Sequence, residues 1–202
     1  MEIRKIVNIS NEENTYILLS GTDVAVIDPG SAYDKITAVS GEKIKYIILT
    51  HCHYDHIESL IELKEKTGAK IIFSKVGKSN LSDGYINLSM PVYGKNLGIE
   101  PDILVSDGDI IKLGDENIKA IETPGHTSCG MCYLSENSLF SGDTLFSGSI
   151  GRSDLPSGNY SILEGSVRKK LYTLSDEIDV YPGHGGKTTI GNEKKYNSFI
   201  RG

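Results

Sequence analysis

The 202-residue chain has no tryptophan, only three cysteines and only six prolines. An odd, small number of cysteines does not build a secreted disulfide framework. A chain this long buries a full core without such staples. Apolar runs last only a few residues, so no helix of membrane-spanning length is expected. The opening stretch MEIRKIVNIS has no apolar core of the kind a secretory signal requires. Basic residues are outnumbered: 21 Lys+Arg against 27 Asp+Glu leave a net charge of -6. That disfavours a nucleic-acid binder working through a broad basic face. Internal repeats, low-complexity tracts and long linkers are absent. With 38% hydrophobic and 24% charged residues the chain reads as globular. The expectation is one cytoplasmic domain over residues 1–202 that acts on a small molecule, without nucleic acid or membrane as partner. The oligomeric state stays open.

Several catalytic motifs are missing too. No Gly-x-Ser-x-Gly nucleophile elbow occurs. The Gly-rich run 142–158 holds no complete G-x-G-x-x-G. Gly185-Gly186-Lys187-Thr188 echoes a phosphate loop, but Tyr181 stands where its first glycine is required. Cys129 and Cys132 form a C-x-x-C that leads into a strand rather than a helix, so packing is the expected role. The 11 tyrosines are expected mostly to pack.

What is present is histidine in a pattern. Three of the five histidines fall within six residues, at His51, His53 and His56. The other two, His126 and His184, each follow Pro-Gly. The apolar run 46–50 suits a strand covered on both faces. It leads straight into His51-Cys52-His53-Tyr54-Asp55-His56. Residues 57–67 then repeat at helical spacing, with Glu62 and Lys66 as an i,i+4 pair and Gly68 as a stop. Upstream, short strands are expected at 3–9, 16–19 and 24–27 as a meander, then a helix at 34–39. Downstream, strands are expected at 70–73, 109–113, 117–122, 132–134, 138–140 and 178–181. A loop with some helix fills 77–101. The apolar stripe Leu163, Val167, Leu171, Leu174 marks a helix, and the tail from 187 reads as helical.

Neutral imidazole and carboxylate are strong ligands for zinc and iron. In an extended segment His51 and His53 point the same way and can share one ion. Asp55 and His56, where the chain turns into the helix, can face a neighbouring position. His126, Asp143 and His184 each end a strand-like segment. Strand ends are where open α/β sheets build their sites.

This set resembles the metallo-β-lactamase superfamily, through H-x-H-x-D-H at 51–56 with His126, Asp143 and His184. Asp28-Pro29-Gly30 is similar to that family's turn after the third strand. The resemblance implies an α/β fold, a four-layer αββα sandwich of two mixed sheets flanked by helices. It implies two divalent metal ions, with zinc first and iron as the alternative. His51, His53 and His126 would hold one, Asp55, His56 and His184 the other, and Asp143 would bridge them. A hydroxide between two metals about 3.5–4 Å apart would be the nucleophile, and Asp55 would also relay a proton.

Residues 141–159 and 181–193 resemble the short glyoxalase-II-like hydrolases. That implies hydrolysis of a thioester such as S-lactoylglutathione. Arg152 and Lys187 are candidates for binding an anion, and Tyr54 for lining the mouth. For Arg152 the alternative is an ordinary loop ion pair. Gly-Arg-Ser-Asp at 151–154 is shared with the persulfide dioxygenases, which would need one iron on His51, His126 and Asp143. A lactonase or other ester hydrolase, and a non-catalytic metal-binding protein, complete the alternatives.

Overall fold

The computed structural model describes residues 1–41 and 43–202. Three strands open the chain as the expected meander: β1 (Glu2–Val7), β2 (Asn14–Ser20) and β3 (Asp23–Ile27) pair antiparallel. Helix α1 (Tyr33–Ser40) crosses to β4 (Tyr46–Ile48), and α2 (Leu60–Thr67) crosses to β5 (Lys70–Ser74). Strands β3, β4 and β5 are therefore parallel, as helical crossovers require. Gly68 closes α2 in the left-handed conformation at φ 70°. Short helices α3 (Lys78–Ser82) and α4 (Ser89–Tyr93) fill the segment read as loop with some helix. Strand β6 (Ile103–Val105) completes the six-stranded sheet in sequential order.

The second sheet has the order β14-β13-β10-β9-β8-β7. Its members are β7 (Ile110–Leu113), β8 (Glu116–Glu122), β9 (Met131–Ser135), β10 (Ser138–Gly142), β13 (Asp179–Pro182) and β14 (Thr188–Thr189). A small ribbon, β11 (Leu145–Phe146) with β12 (Ser149–Ile150), stands apart from it. Helix α5 (Tyr160–Ser166) is capped by Asn159, whose side chain accepts from the Ile162 N–H, and runs into a π-helical turn at Val167–Leu171. Helix α6 (Ile190–Tyr196) starts at Thr189.

Strand alternation explains the layering. Ile17, Val26, Ile47 and Ile71 face out toward Ile36 of α1 and Leu60 and Leu63 of α2. Their neighbours Leu18, Ile27, Ile48 and Ile72 face in and meet Ile118, Tyr133 and Phe140 of the second sheet. On the far side Cys132, Leu139 and Val180 pack against Leu163, Val167 and Leu171. Strands covered on both faces need apolar residues at consecutive positions, hence the runs at 24–27 and 46–49. Each fully buried Ile or Leu contributes roughly 1.5–3 kcal/mol. These three cores, rather than surface ion pairs, hold the αββα layers.

Four refinements follow from local chemistry. The run around β6 is only three residues long and lies beyond a weakly patterned stretch. The Gly-rich segment after 143 holds a hairpin, because Gly148 at φ 73° allows its tight turn. The tail is helical only over α6 and ends in an irregular stretch at 197–202. The expected helix of residues 163–174 widens to π-helical spacing at its second half.

Candidate metal centre

The site lies on one edge of the sandwich. Strands β8, β10 and β13 run in the same direction, since β8 and β10 both pair antiparallel with β9, and β13 pairs parallel with β10. Their C-terminal ends deliver His126, Asp143 and His184. The C-terminal end of β4 in the other sheet delivers residues 51–56. The two sheets are joined here by the backbone, where the Met131 N–H donates to the Thr50 carbonyl at 2.8 Å.

All seven residues proposed as ligands meet at this edge. His51, His53 and His126 offer one ligand atom each within 4.8 Å of one another, and so do Asp55, His56 and His184. Asp143 lies between the sets. Its Oδ1 is 3.3 Å from His56 Nε2, and its Oδ2 is 3.5 Å from His126 Nε2 and 3.8 Å from His184 Nε2. Asp55 Oδ2 is 3.4 Å from His184 Nε2. His53 Nδ1 lies 2.9 Å from His126 Nε2. Two imidazole nitrogens this close share either one proton or one cation.

The supporting hydrogen bonds decide which nitrogens face the centre. The Thr50 hydroxyl donates its one proton to Asp28 Oδ2 at 2.6 Å, so it accepts from His51 Nδ1–H at 3.1 Å. Asp28 Oδ2 also accepts from His56 Nδ1–H at 3.0 Å. The Arg152 carbonyl accepts from His126 Nδ1–H at 2.6 Å. Nδ1 of all three rings is thereby engaged, and Nε2 is the nitrogen left to face the centre and take a metal. Asp28 pins β4 as well, through the Thr50 N–H at 2.7 Å. It does this at φ 51°, a conformation unusual outside glycine that Asp tolerates better than most. Asp28 and Thr50 are functional supports that reading by ligand type misses. The Asp-Pro-Gly turn after an apolar strand was the only signal for Asp28. Gly183 is required by close approach, since a Cβ there would overlap the Asp143 carboxylate and the His56 ring.

Four atoms argue that the set fits a metal. Nε2 of His51, His53 and His56 and Oδ1 of Asp143 are buried without a hydrogen-bond partner. Each orphaned polar atom costs about 1–3 kcal/mol. Four such atoms within one cluster of imidazoles and carboxylates are a donor set for a cation. Histidine and carboxylate donors suit zinc and iron.

The electrostatics split the cluster. Burial, reinforced by the neighbouring imidazoles, holds His51 well below the ordinary histidine value. Burial likewise lowers His53, to about 3. His56 goes the other way: burial would lower it, but Asp143, Asp55 and Asp28 outweigh that and raise it well above normal. His184 is raised by Asp55 and Asp143, again against burial. Burial opposes ionisation of Asp143 and Asp55, yet His56 beside them holds both carboxyls below the usual range.

An open cavity of about 420 Å³ leads to the centre. Tyr54 and Arg152 line it with Leu88, Phe146 and Leu155, which the sequence did not single out. Leu88 takes φ 64°, pinned between Asn87 and α4. The Asn87 carbonyl accepts from the Tyr54 N–H at 2.9 Å, so this segment is tied to the ligand loop. The Arg152 guanidinium is engaged with Asp154 in two bonds of 2.8 and 2.9 Å, the loop ion pair named as its alternative role. Lys187 does not line the cavity. The register of β13 and β14 sets it beside Asp179, with Nζ 3.0 Å from the carboxylate and over the Tyr181 ring. Its candidacy for anion binding is therefore withdrawn. Cys129 and Cys132 are both buried, on opposite sides of the second sheet.

A family model described as the metallo-beta-lactamase superfamily matches residues 11–184. The chain belongs to that superfamily. It is 35% identical over 190 residues to the hydroxyacylglutathione hydrolase GloC of Haemophilus influenzae, covering 88% of this chain and 87% of that protein. Among solved structures, the BLEG-1 B3 metallo-beta-lactamase superposes with TM-score 0.92 at 28% identity over the whole of both chains. ETHE1 from Myxococcus xanthus gives 0.83 at 29% identity, over 98% of this chain and 84% of that one. TTHA1623, in a di-iron-bound form, gives 0.82 at 28% identity, over 98% and 100%. The superfamily member is thus a metallo-hydrolase with an αββα fold and a metal-binding cluster.

Proposed function

We propose that this chain is a binuclear metal-dependent hydrolase of thioesters, of the hydroxyacylglutathione hydrolase type. One observation carries the reading. Two triads of ligand atoms share a single neighbouring carboxylate, Asp143, whose two oxygens reach a member of each, His56 and His126. A single ion held by His51, His53 and His126 would leave the buried His56 Nε2 without a partner. The GloC relative and the di-iron neighbour support the reading. Zinc is the first choice of metal and iron the second. Bound in this way, two such ions would activate water near neutral pH and polarise the acyl oxygen.

The chain's own residues supply the rest. Asp28 and Thr50 orient His51 and His56 before any substrate arrives. Asp55 is held ionised at the cavity floor and takes the proton released during attack. Leu88, Phe146 and Leu155 form an apolar wall that excludes water from the bound acyl thiol. Tyr54 and the Arg152–Asp154 pair form the rim.

The test is hydrolysis of S-lactoylglutathione by the metal-loaded protein, read as thiol release. His51→Ala is expected to abolish turnover in a chain that stays folded by circular dichroism. Retained thioesterase activity in that variant contradicts the mechanism. Failure on thioesters with turnover of lactones would keep the site and move the substrate class.

A further inference from the structure

Two buried thiols behind the ligand loops are used by none of the above. Cys52 sits between His51 and His53, and its side chain turns away from them into the apolar core under α2. Cys129 lies three residues past His126 and enters the same core from the second sheet. Their Sγ atoms are 3.5 Å apart across 77 residues of chain. Cys132, the C-x-x-C neighbour, faces the other side, where its Sγ meets Thr123 Oγ1 at 3.2 Å and the Ser141 carbonyl at 3.6 Å. The Met131–Thr50 backbone bond holds the two segments in register. A disulfide needs a sulfur separation near ~2.05 Å. Closing the gap takes a movement of about 1.5 Å, within reach of χ1 rotation.

We propose that Cys52 and Cys129 form a redox-active dithiol that hydrogen peroxide closes to a disulfide, tying together the two loops that carry His51, His53 and His126. One thiol sulfur attacks a peroxide oxygen, breaks the O–O bond and becomes a sulfenic acid as water leaves. The second thiol attacks that sulfur, forms the S–S bond and expels the second water. The two thiols give up two electrons and two protons, and the peroxide carries them away. Such a bond locks the inner ligands across two sheets. This inference concerns the chain's own sulfurs and stands whether or not the substrate is a thioester.

The test uses the full chain as purified, treated with hydrogen peroxide, alkylated and mapped by peptide mass spectrometry. Reactive thiols are expected to fall from three to one, with a cross-link joining the Cys52 and Cys129 peptides. Dithiothreitol restores all three. Cys132→Ala retains the cross-link and Cys52→Ala abolishes it. The melting midpoint of the oxidised chain rises by roughly 5 °C or more. Three unchanged thiols, a Cys129–Cys132 link, or oxidation of Cys129 to a sulfinic acid would each overturn the proposal. The mapping of the unsubstituted chain decides the matter even where a variant does not fold.

Discussion

The two ligand triads are built from similar residues but live in different surroundings. His51, His53 and His126 are all buried and all imidazole. In the outer triad only His56 is buried, and the His184 side chain keeps 27% of its surface. Asp55 adds a carboxylate there. Burial and mutual proximity keep protons off His51 and His53, whereas carboxylates draw protons to His56 and His184. One set is a buried cage of imidazoles, and the other is a partly exposed rim that includes a carboxylate. The lesson is that the same residue types offer a cation unequal surroundings once solvent and neighbouring charge differ.

The largest effect is expected where the triads meet. Asp143→Ala removes the carboxylate both sets share, and should lower kcat/KM by on the order of 10³-fold. Elemental analysis of that variant should show metal lost as well. Next come the triads taken singly. His184→Ala should release one ion and retain the other, while His51→Ala should release both, because the outer set alone is exposed to water. Equal losses from these two variants would erase the distinction.

Asp28→Asn sharpens the comparison from behind. It keeps the shape but weakens the acceptor that serves His56 directly and His51 through Thr50. Removal of such a support costs about 10–100-fold in metal affinity or activity. The outer ion should suffer more, since His56 contacts Asp28 without an intermediary. Competition with a coloured chelator measures both affinities.

Acid separates the triads by sign. A raised histidine value means that protons compete for the ring at higher pH. His56 and His184 are raised, so outer-site metal should leave first as pH falls through and below neutrality. His51 and His53 are lowered, the latter to about 3, so the inner ion should persist several units further down. Simultaneous release in a chelator-coupled pH titration would contradict this. The smallest effect is expected at Lys187→Ala, which loses only the exposed pair with Asp179 and the contact over the Tyr181 ring. Its kcat/KM should stay within about twofold.

The cluster of candidate ligands was legible because each is a distinctive residue at the end of a strand, and because 51–56 compresses four of them into one turn. The sandwich was legible where strands are covered on both faces and so carry unbroken apolar runs. The orienting role of Asp28 was not legible, since it acts on residues 22 and 28 positions away through contacts only the parallel β3–β4 pairing creates. Lys187 looked available because its charge is visible in sequence and its partner Asp179 is not. The C-x-x-C reads as packing, and both thiols are buried, but strand β9 carries Cys132 into one core while Cys129, in the loop before it, enters another beside Cys52. Side-chain direction, rather than spacing, chose the partner.

The central claim is that two unequal metal positions share Asp143. Metal content per chain, in protein purified without added metal and then stepped down in pH, tests it most directly. About two ions per chain are expected near neutral pH, with a plateau at one before the last is lost. A single iron per chain at every pH, with no second binding step on adding zinc, would contradict it and favour the dioxygenase arrangement on His51, His126 and Asp143.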